Sequence, residues 1–103
     1  MNNSQAKITK ILCVDDAQDL RENMNIILSN EGYEVIEASN GKDAYDKFAN
    51  NLPDFIICDI DMPIMNGYEF LAKVHKNHQE SLSNIPFIFL TGLTSFFVSI
   101  LSL

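Results

Sequence analysis

Basic residues are scarce in this chain. Seven Lys and Arg stand against fourteen Asp and Glu, which leaves a formal charge of −7. That deficit argues against the cationic footprint of a direct nucleic-acid binder and against attraction to an anionic membrane surface. Long apolar runs are missing too: none approaches the roughly 20 residues that span a bilayer. Met1 to Lys10 lacks the apolar core of a signal peptide. Cysteine is limited to Cys13 and Cys58, each inside an apolar run, where a reduced thiol acts as a small hydrophobe rather than as half of a disulfide or metal pair. There are no internal repeats and no low-complexity segment. The expectation is one cytoplasmic domain over residues 1–103, with 47% apolar and 20% charged residues, large enough for a real core.

What is present centres on Phe55-Ile56-Ile57-Cys58-Asp59-Ile60-Asp61-Met62-Pro63-Ile64-Met65-Asn66-Gly67. Four apolar residues run into an acid, a second acid follows two positions later, and Pro63 and Gly67 break the chain. A short continuous apolar run bounded by turn signals suits a strand buried on both faces of a parallel sheet. Asp59 then stands at its carboxyl end, where open α/β sheets place their ligands.

An earlier stretch ends in the same way. Ile8 to Val14 reads as a strand that stops at Asp15-Asp16. Two acids about 4 Å apart repel by about 1 to 4 kcal/mol, depending on the local dielectric. Such a pair can serve a ligand, or simply cap and complement the helix that follows. That helix spans about Ala17 to Asn30, with Leu20, Met24, Ile27 and Leu28 on one apolar stripe and Asp19, Arg21, Glu22 and Asn25 facing water. Gly32 is placed to end it with a left-handed residue.

Tyr33 to Ala38 is a second strand. Lys42 to Asn51 is a second helix with Ala44, Tyr45 and Phe48 inward and Leu52 continuing the stripe; Pro53 stops it. After the strand Asp54 to Asp59 comes a loop, then a third helix over Tyr68 to His75 carrying Phe70, Leu71 and Val74 inward. His75 and His78 read as solvent-facing residues at a helix end, since no ligand cluster accompanies them. Pro86 opens a fourth strand, Phe87 to Thr91. The alternation of strands and helices with short connections calls for a parallel sheet wrapped by helices.

Asp15, Asp16, Asp59 and Thr91 therefore share one sheet edge. Three carboxylates gathered there need a cation, and hard oxygen ligands favour Mg²⁺ over zinc. A carboxylate beside Mg²⁺ can accept a phosphoryl group and form an aspartyl phosphate. The Thr91 hydroxyl is positioned to hydrogen-bond the new phosphoryl oxygens.

These residues carry a family resemblance. The chain resembles the receiver domain of two-component response regulators from about residue 10 to 92: the pair Asp15-Asp16, the strand ending in Asp59, Met62-Pro63 and Gly67 behind it, and Thr91-Gly92. The resemblance implies a flavodoxin-like, doubly wound parallel sheet of strand order 2-1-3-4-5. It implies that Asp59 is the phosphoacceptor, that Asp16 and Asp59 bind Mg²⁺ directly and Asp15 through water, and that the Asp61 main-chain carbonyl completes the ligands. Thr91 becomes the switch hydroxyl. The phosphodonor is a phosphohistidine on a sensor histidine kinase or histidine phosphotransfer protein.

The departure lies at residues 93–103. The family continues through a fourth helix, a fifth strand ending in a lysine, and a fifth helix, whereas here no lysine follows Lys76. The tail reads as the end of a truncated or frameshifted receiver whose fifth strand and helix are lost. Phe96 to Leu103 can form either an antiparallel strand beside the fourth or a short apolar helix, and the uncovered sheet edge offers a contact for a dimer. Two other functions stay open: a receiver-derived remnant that does not signal, and a haloacid-dehalogenase-type phosphohydrolase using Asp59 and Asp61. The hydrolase reading conflicts with Pro63, where that family expects Thr or Val.

Overall fold

Each apolar run of the sequence becomes a strand. The computed structural model describes residues 9–78 and 85–90, together with the backbone of 97–101. The strands are β1 (Lys10–Val14), β2 (Glu34–Ala38), β3 (Phe55–Asp59), β4 (Phe87–Leu90) and β5 (Phe97–Leu101). The helices are α1 (Gln18–Asn30), α2 (Gly41–Asn51) and α3 (Gly67–Asn77). They form one sheet of order β2-β1-β3-β4-β5. The first four strands are mutually parallel, and β5 runs antiparallel to β4. The slot of the expected fifth parallel strand is thus held by the apolar tail as an antiparallel strand, one of the two forms open to it. In register, Phe87 faces Leu101 and Leu90 faces Phe97.

Side chains alternate across a strand, so each strand serves both faces. On one face Leu12, Val14, Ala38, Ile56, Cys58, Phe87 and Phe89 form a closed core with Ala44 and Phe48 of α2 and Phe70 and Val74 of α3. Rings of Phe70, Phe87 and Phe89 meet at centroid distances of 5.4 and 5.1 Å, tilted as aromatic quadrupoles prefer. On the opposite face Ile11 and Cys13 are buried, but Phe55, Ile57, Ile88 and Leu90 are only half-buried.

That second face accounts for the largest departure from the sequence reading. α1 lies against β1 and β2, and none of its residues is buried. Leu20 and Ile27 of its expected inward stripe are 57% and 62% exposed, while Met24 and Leu28 are half-buried. Among the described residues no helix packs on this face over β3 and β4, so the stripe lacks the neighbour it would bury against.

Local signals place the helix ends. Gly32 takes φ 97° and donates its N–H to Ser29, closing α1 as its missing Cβ allows. Asn40 caps α2 by accepting from the Asp43 N–H, and Asn66 with Glu69 forms a reciprocal capping box on α3. Leu52 does not continue the α2 stripe: it adopts a left-handed φ of 44° as the C-terminal cap and is exposed. His78 is not simply solvent-facing. Its Nε2 lies 3.1 Å from the Tyr45 hydroxyl, and its ring packs edge-on against Phe48.

Ile64 is the other non-glycine residue at positive φ, at 73°, in a turn closed by the Met65 N–H donating to the Pro63 carbonyl at 2.7 Å. A three-residue turn of this hand is strained, most of all for a β-branched side chain. Because Ile64 is 77% exposed, truncating it forfeits little burial. Ile64→Gly should relieve about 1–2 kcal/mol of strain. It should lose about 0.5–1 kcal/mol to the freer unfolded chain. The expected result is a small net rise in the urea midpoint with an unchanged slope.

Candidate functional site

Parallel register brings the acidic strand ends together. β1 is flanked by β2 and β3, and Val14 pairs with both Ala38 and Cys58, so Asp15 and Asp59 emerge side by side. Asp15, Asp16 and Asp59 each offer a carboxylate oxygen within 4.8 Å of the others. Asp15 is buried, Asp59 half-buried and Asp16 exposed, which grades the cluster from core to solvent.

Asp15 is held at every polar atom but one. Its N–H donates to the Ala38 carbonyl of β2 at 3.1 Å. Its Oδ1 accepts from the Ala17 N–H at 2.9 Å, and its carbonyl accepts from Arg21 Nη1 at 2.8 Å. The residue before α1 is Ala17, which makes no side-chain cap, so neither acid of the pair caps that helix. The capping alternative therefore gives way to one in which the carboxylates face the cleft.

Electrostatics follow from this packing. Burial, with the Asp15 charge next and then Asp16, pushes the Asp59 carboxyl up to about 6, against the pull of the Ile60 and Asp61 main-chain N–H groups. Asp15 is also raised, first by burial and then by Asp16, with the Ala17 N–H and Arg21 opposing. The neighbouring thiols are inert: burial pushes Cys13 up to about 12, and Cys58 is raised further still by burial and the two acids. Both cysteines are free. Cys58 donates its thiol to the Asp59 carbonyl at 3.1 Å.

The loop after Asp59 is fixed by two glycines. Gly67 donates to the Ile60 carbonyl at 2.9 Å, and Gly41 of α2 donates to the Met65 carbonyl at 2.9 Å. A Cβ on Gly67 would stand 2.5 Å from the Asp59 carbonyl oxygen, and one on Gly41 2.5 Å from the Met65 carbonyl oxygen. Only glycine permits either approach. Asp61 is exposed and its carboxylate stands outside the trio. Thr91 lies outside the described residues; Leu90, just before it, pairs with Asp59.

The residues that the sequence reading missed are Arg21 and Asn25. Assigned there to the solvent face of α1, they turn instead to Glu37 of β2: Arg21 Nε donates to Oε1 at 3.0 Å and Asn25 Nδ2 to Oε2 at 2.6 Å. The available signal was Glu37, an acid just before the buried end of β2, with Arg21 and Asn25 four residues apart on α1.

A doubly wound α/β sheet with a carboxylate cleft at the carboxyl ends of its central strands defines a class of protein that binds its ligand at a topological switch point. Residues 11–100 match the response regulator receiver domain, and the chain belongs to that family. It is 38% identical over 84 residues to a probable transcriptional regulator, ycf27, of Guillardia theta, covering 82% of this chain and 31% of that protein. The chemotaxis response regulator CheY4 of Vibrio cholerae superposes with a TM-score of 0.78 at 36% identity, over 86% of this chain and 72% of that one. The response regulator TrrA of Thermotoga maritima, solved in complex with Mg²⁺-BeF, gives 0.74 at 34%, over 84% and 72%. The chain spans about a third of the length of the curated regulators it matches. The flavodoxin-like fold and the receiver family read from the sequence both hold. Receiver domains are signalling modules with an acidic pocket, and among the described residues no helix is long and apolar enough to cross a membrane.

Proposed function

We propose that this chain is a phosphoryl-accepting receiver module of a two-component or phosphorelay system, with Asp59 as acceptor. The observation that carries this reading is the trio Asp15, Asp16 and Asp59 gathered within 4.8 Å at the carboxyl edge of the sheet. It is a donor set of hard carboxylate oxygens without thiolate or imidazole, and its half-buried member is driven up to about 6 by burial and like charge. Such a set fits Mg²⁺. Asp15, Asp16 and Asp59, with the Asp61 main-chain carbonyl, would hold it. When bound, the ion neutralises the clustered charge and polarises the phosphoryl oxygens.

The chain's own residues supply the rest. An Asp59 carboxylate oxygen forms the new O–P bond while the N–P bond of a phosphohistidine breaks, and the leaving imidazole nitrogen takes up a proton. The donor is a phosphohistidine on a sensor histidine kinase or histidine phosphotransfer protein. Thr91 is the hydroxyl proposed to meet the phosphoryl group afterwards.

Intact-protein mass after incubation with Mg²⁺ and acetyl phosphate tests the assignment. One phosphoryl group should add to the wild type, with none when Mg²⁺ is chelated and none on Asp59→Asn. An adduct that persists on Asp59→Asn, or no adduct on folded wild type, would overturn the acceptor role.

A further inference from the structure

We propose that Arg21 is a positioning residue for the acid pocket, clamping the main chain at Asp15 to Glu37 of β2 and so fixing the loop that presents Asp15 and Asp16. The inference rests on the receiver reading for what the pocket binds, but the clamp itself stands on contacts within the chain.

Arg21 sits one turn into α1 with its side chain only 15% exposed. Its guanidinium makes two directional contacts: Nη1 to the Asp15 carbonyl at 2.8 Å and Nε to Glu37 Oε1 at 3.0 Å. Glu37 is itself immobilised. Asn25 holds its second oxygen at 2.6 Å, and Lys47 of α2 donates to its carbonyl at 2.6 Å. The Glu37 carboxyl is accordingly held below its usual range, first by the Asn25 hydrogen bond and then by Arg21 and Lys47. Asp15 is thereby tied to β2 twice, directly through Ala38 and indirectly through Arg21.

A planar fork is suited to this bridge, since one rigid group spans a carbonyl and a carboxylate. A lysine ammonium is a point charge on a flexible stem and cannot keep both contacts in that geometry. Arg21 touches neither the cleft nor a reacting atom. It acts through Asp15, as partners that orient metal ligands commonly do.

Charge and position predict opposite signs, which makes the test decisive. Removing a cation from beside three carboxylates would, by Coulomb's law alone, tighten binding of a divalent cation. Losing a positioning contact should weaken it by about 10-fold or more. Mg²⁺ is titrated calorimetrically into wild type, Arg21→Met and Arg21→Lys, and hydrogen exchange is followed on the metal-free proteins over the segment Asp15 to Ala17.

Both variants should bind Mg²⁺ about 10-fold more weakly, and both should exchange faster at Asp15 and Ala17 while α3 keeps its protection. Unchanged or tighter Mg²⁺ binding in Arg21→Met, or full affinity in the charge-preserving Arg21→Lys, would overturn the proposal. Should Arg21→Met fail to fold, Arg21→Lys decides on its own. If wild type binds no Mg²⁺, it is the receiver reading that fails, and exchange at Asp15 and Ala17 in the metal-free variants still judges the clamp.

Discussion

Gly67→Ala should cost about 1–3 kcal/mol of stability, the range for forcing an extra methyl group into a packed site. A Cβ at this position meets the Asp59 carbonyl oxygen at 2.5 Å, Phe89 Cε1 at 3.0 Å and Ile60 Cα at 3.2 Å. Two of these are backbone atoms and the third belongs to a buried ring, so no flexible chain end is available to move aside. The helix-forming advantage of Ala, about 1 kcal/mol in a helix interior, is smaller at the first position of α3 and does not offset the clash. The hydrogen bond from Gly67 to the Ile60 carbonyl has to lengthen, shifting Asp59 and the loop behind it. Urea denaturation should therefore show a lower midpoint, and Mg²⁺ affinity should fall in parallel. Gly32→Ala is the control. Its Cβ would meet nothing within 4 Å, so it bears only the penalty of φ 97° and should leave Mg²⁺ binding unchanged.

Asp59→Asn should raise the melting temperature in chelator at pH 7.5 while removing the site of phosphoryl uptake. In the folded chain the Asp59 carboxyl is pushed up from 3.8 to about 6. The folded state therefore holds this proton at a pH where the unfolded chain has released it. Its contribution to stability is complete below about pH 4 and is lost as pH rises through about 6. Asp15 is shifted in the same direction, so the two effects add in sign. A rise of this size could be worth as much as about 3 kcal/mol. Asp59 is half-exposed, however, and solvent screening reduces that to about 1 kcal/mol, or some 4–8 °C for a domain of this length. The gain of Asp59→Asn over wild type should shrink as pH falls from 7.5 to 4, and Mg²⁺ should erase it by stabilising the wild type alone. A gain that is constant across this range would show that like-charge repulsion in the cleft is not its source.

Much of the fold was legible because strands that are apolar on both faces leave a plain mark in the sequence. Ile11 to Val14, Phe55 to Cys58 and Phe87 to Leu90 are unbroken apolar runs, and all three are strands. The acids that follow or end the first two of these runs announced the cleft, since a central strand of a parallel sheet seldom carries a charge in its buried interior. Gly32 and Pro53 marked helix ends for equally local reasons.

What could not be read depends on neighbours. The α1 stripe of Leu20 and Ile27 states that one side of the helix is apolar, but burial requires something on that side. Arg21 has the same spacing as a solvated arginine. Only the pairing of β1 with β2 in register brings Glu37 and the Asp15 carbonyl within its reach. The tail, uncharged and mostly apolar, has no periodicity to separate strand from helix, and pairing with β4 decides it.

The two glycine hydrogen bonds around Asp59 also bear on how fast a partner can act there. The segment from Ile60 to Asn66 is pinned at its start by Gly67 through the Ile60 carbonyl, and at its far end by Gly41 through Met65 and by the Asn66 capping box. Its ordering entropy is met during folding rather than on encounter. An incoming phosphodonor thus finds the acceptor side of the cleft already shaped. Association is expected to follow a single bimolecular phase, linear in donor concentration, without the plateau that a loop-ordering step would impose.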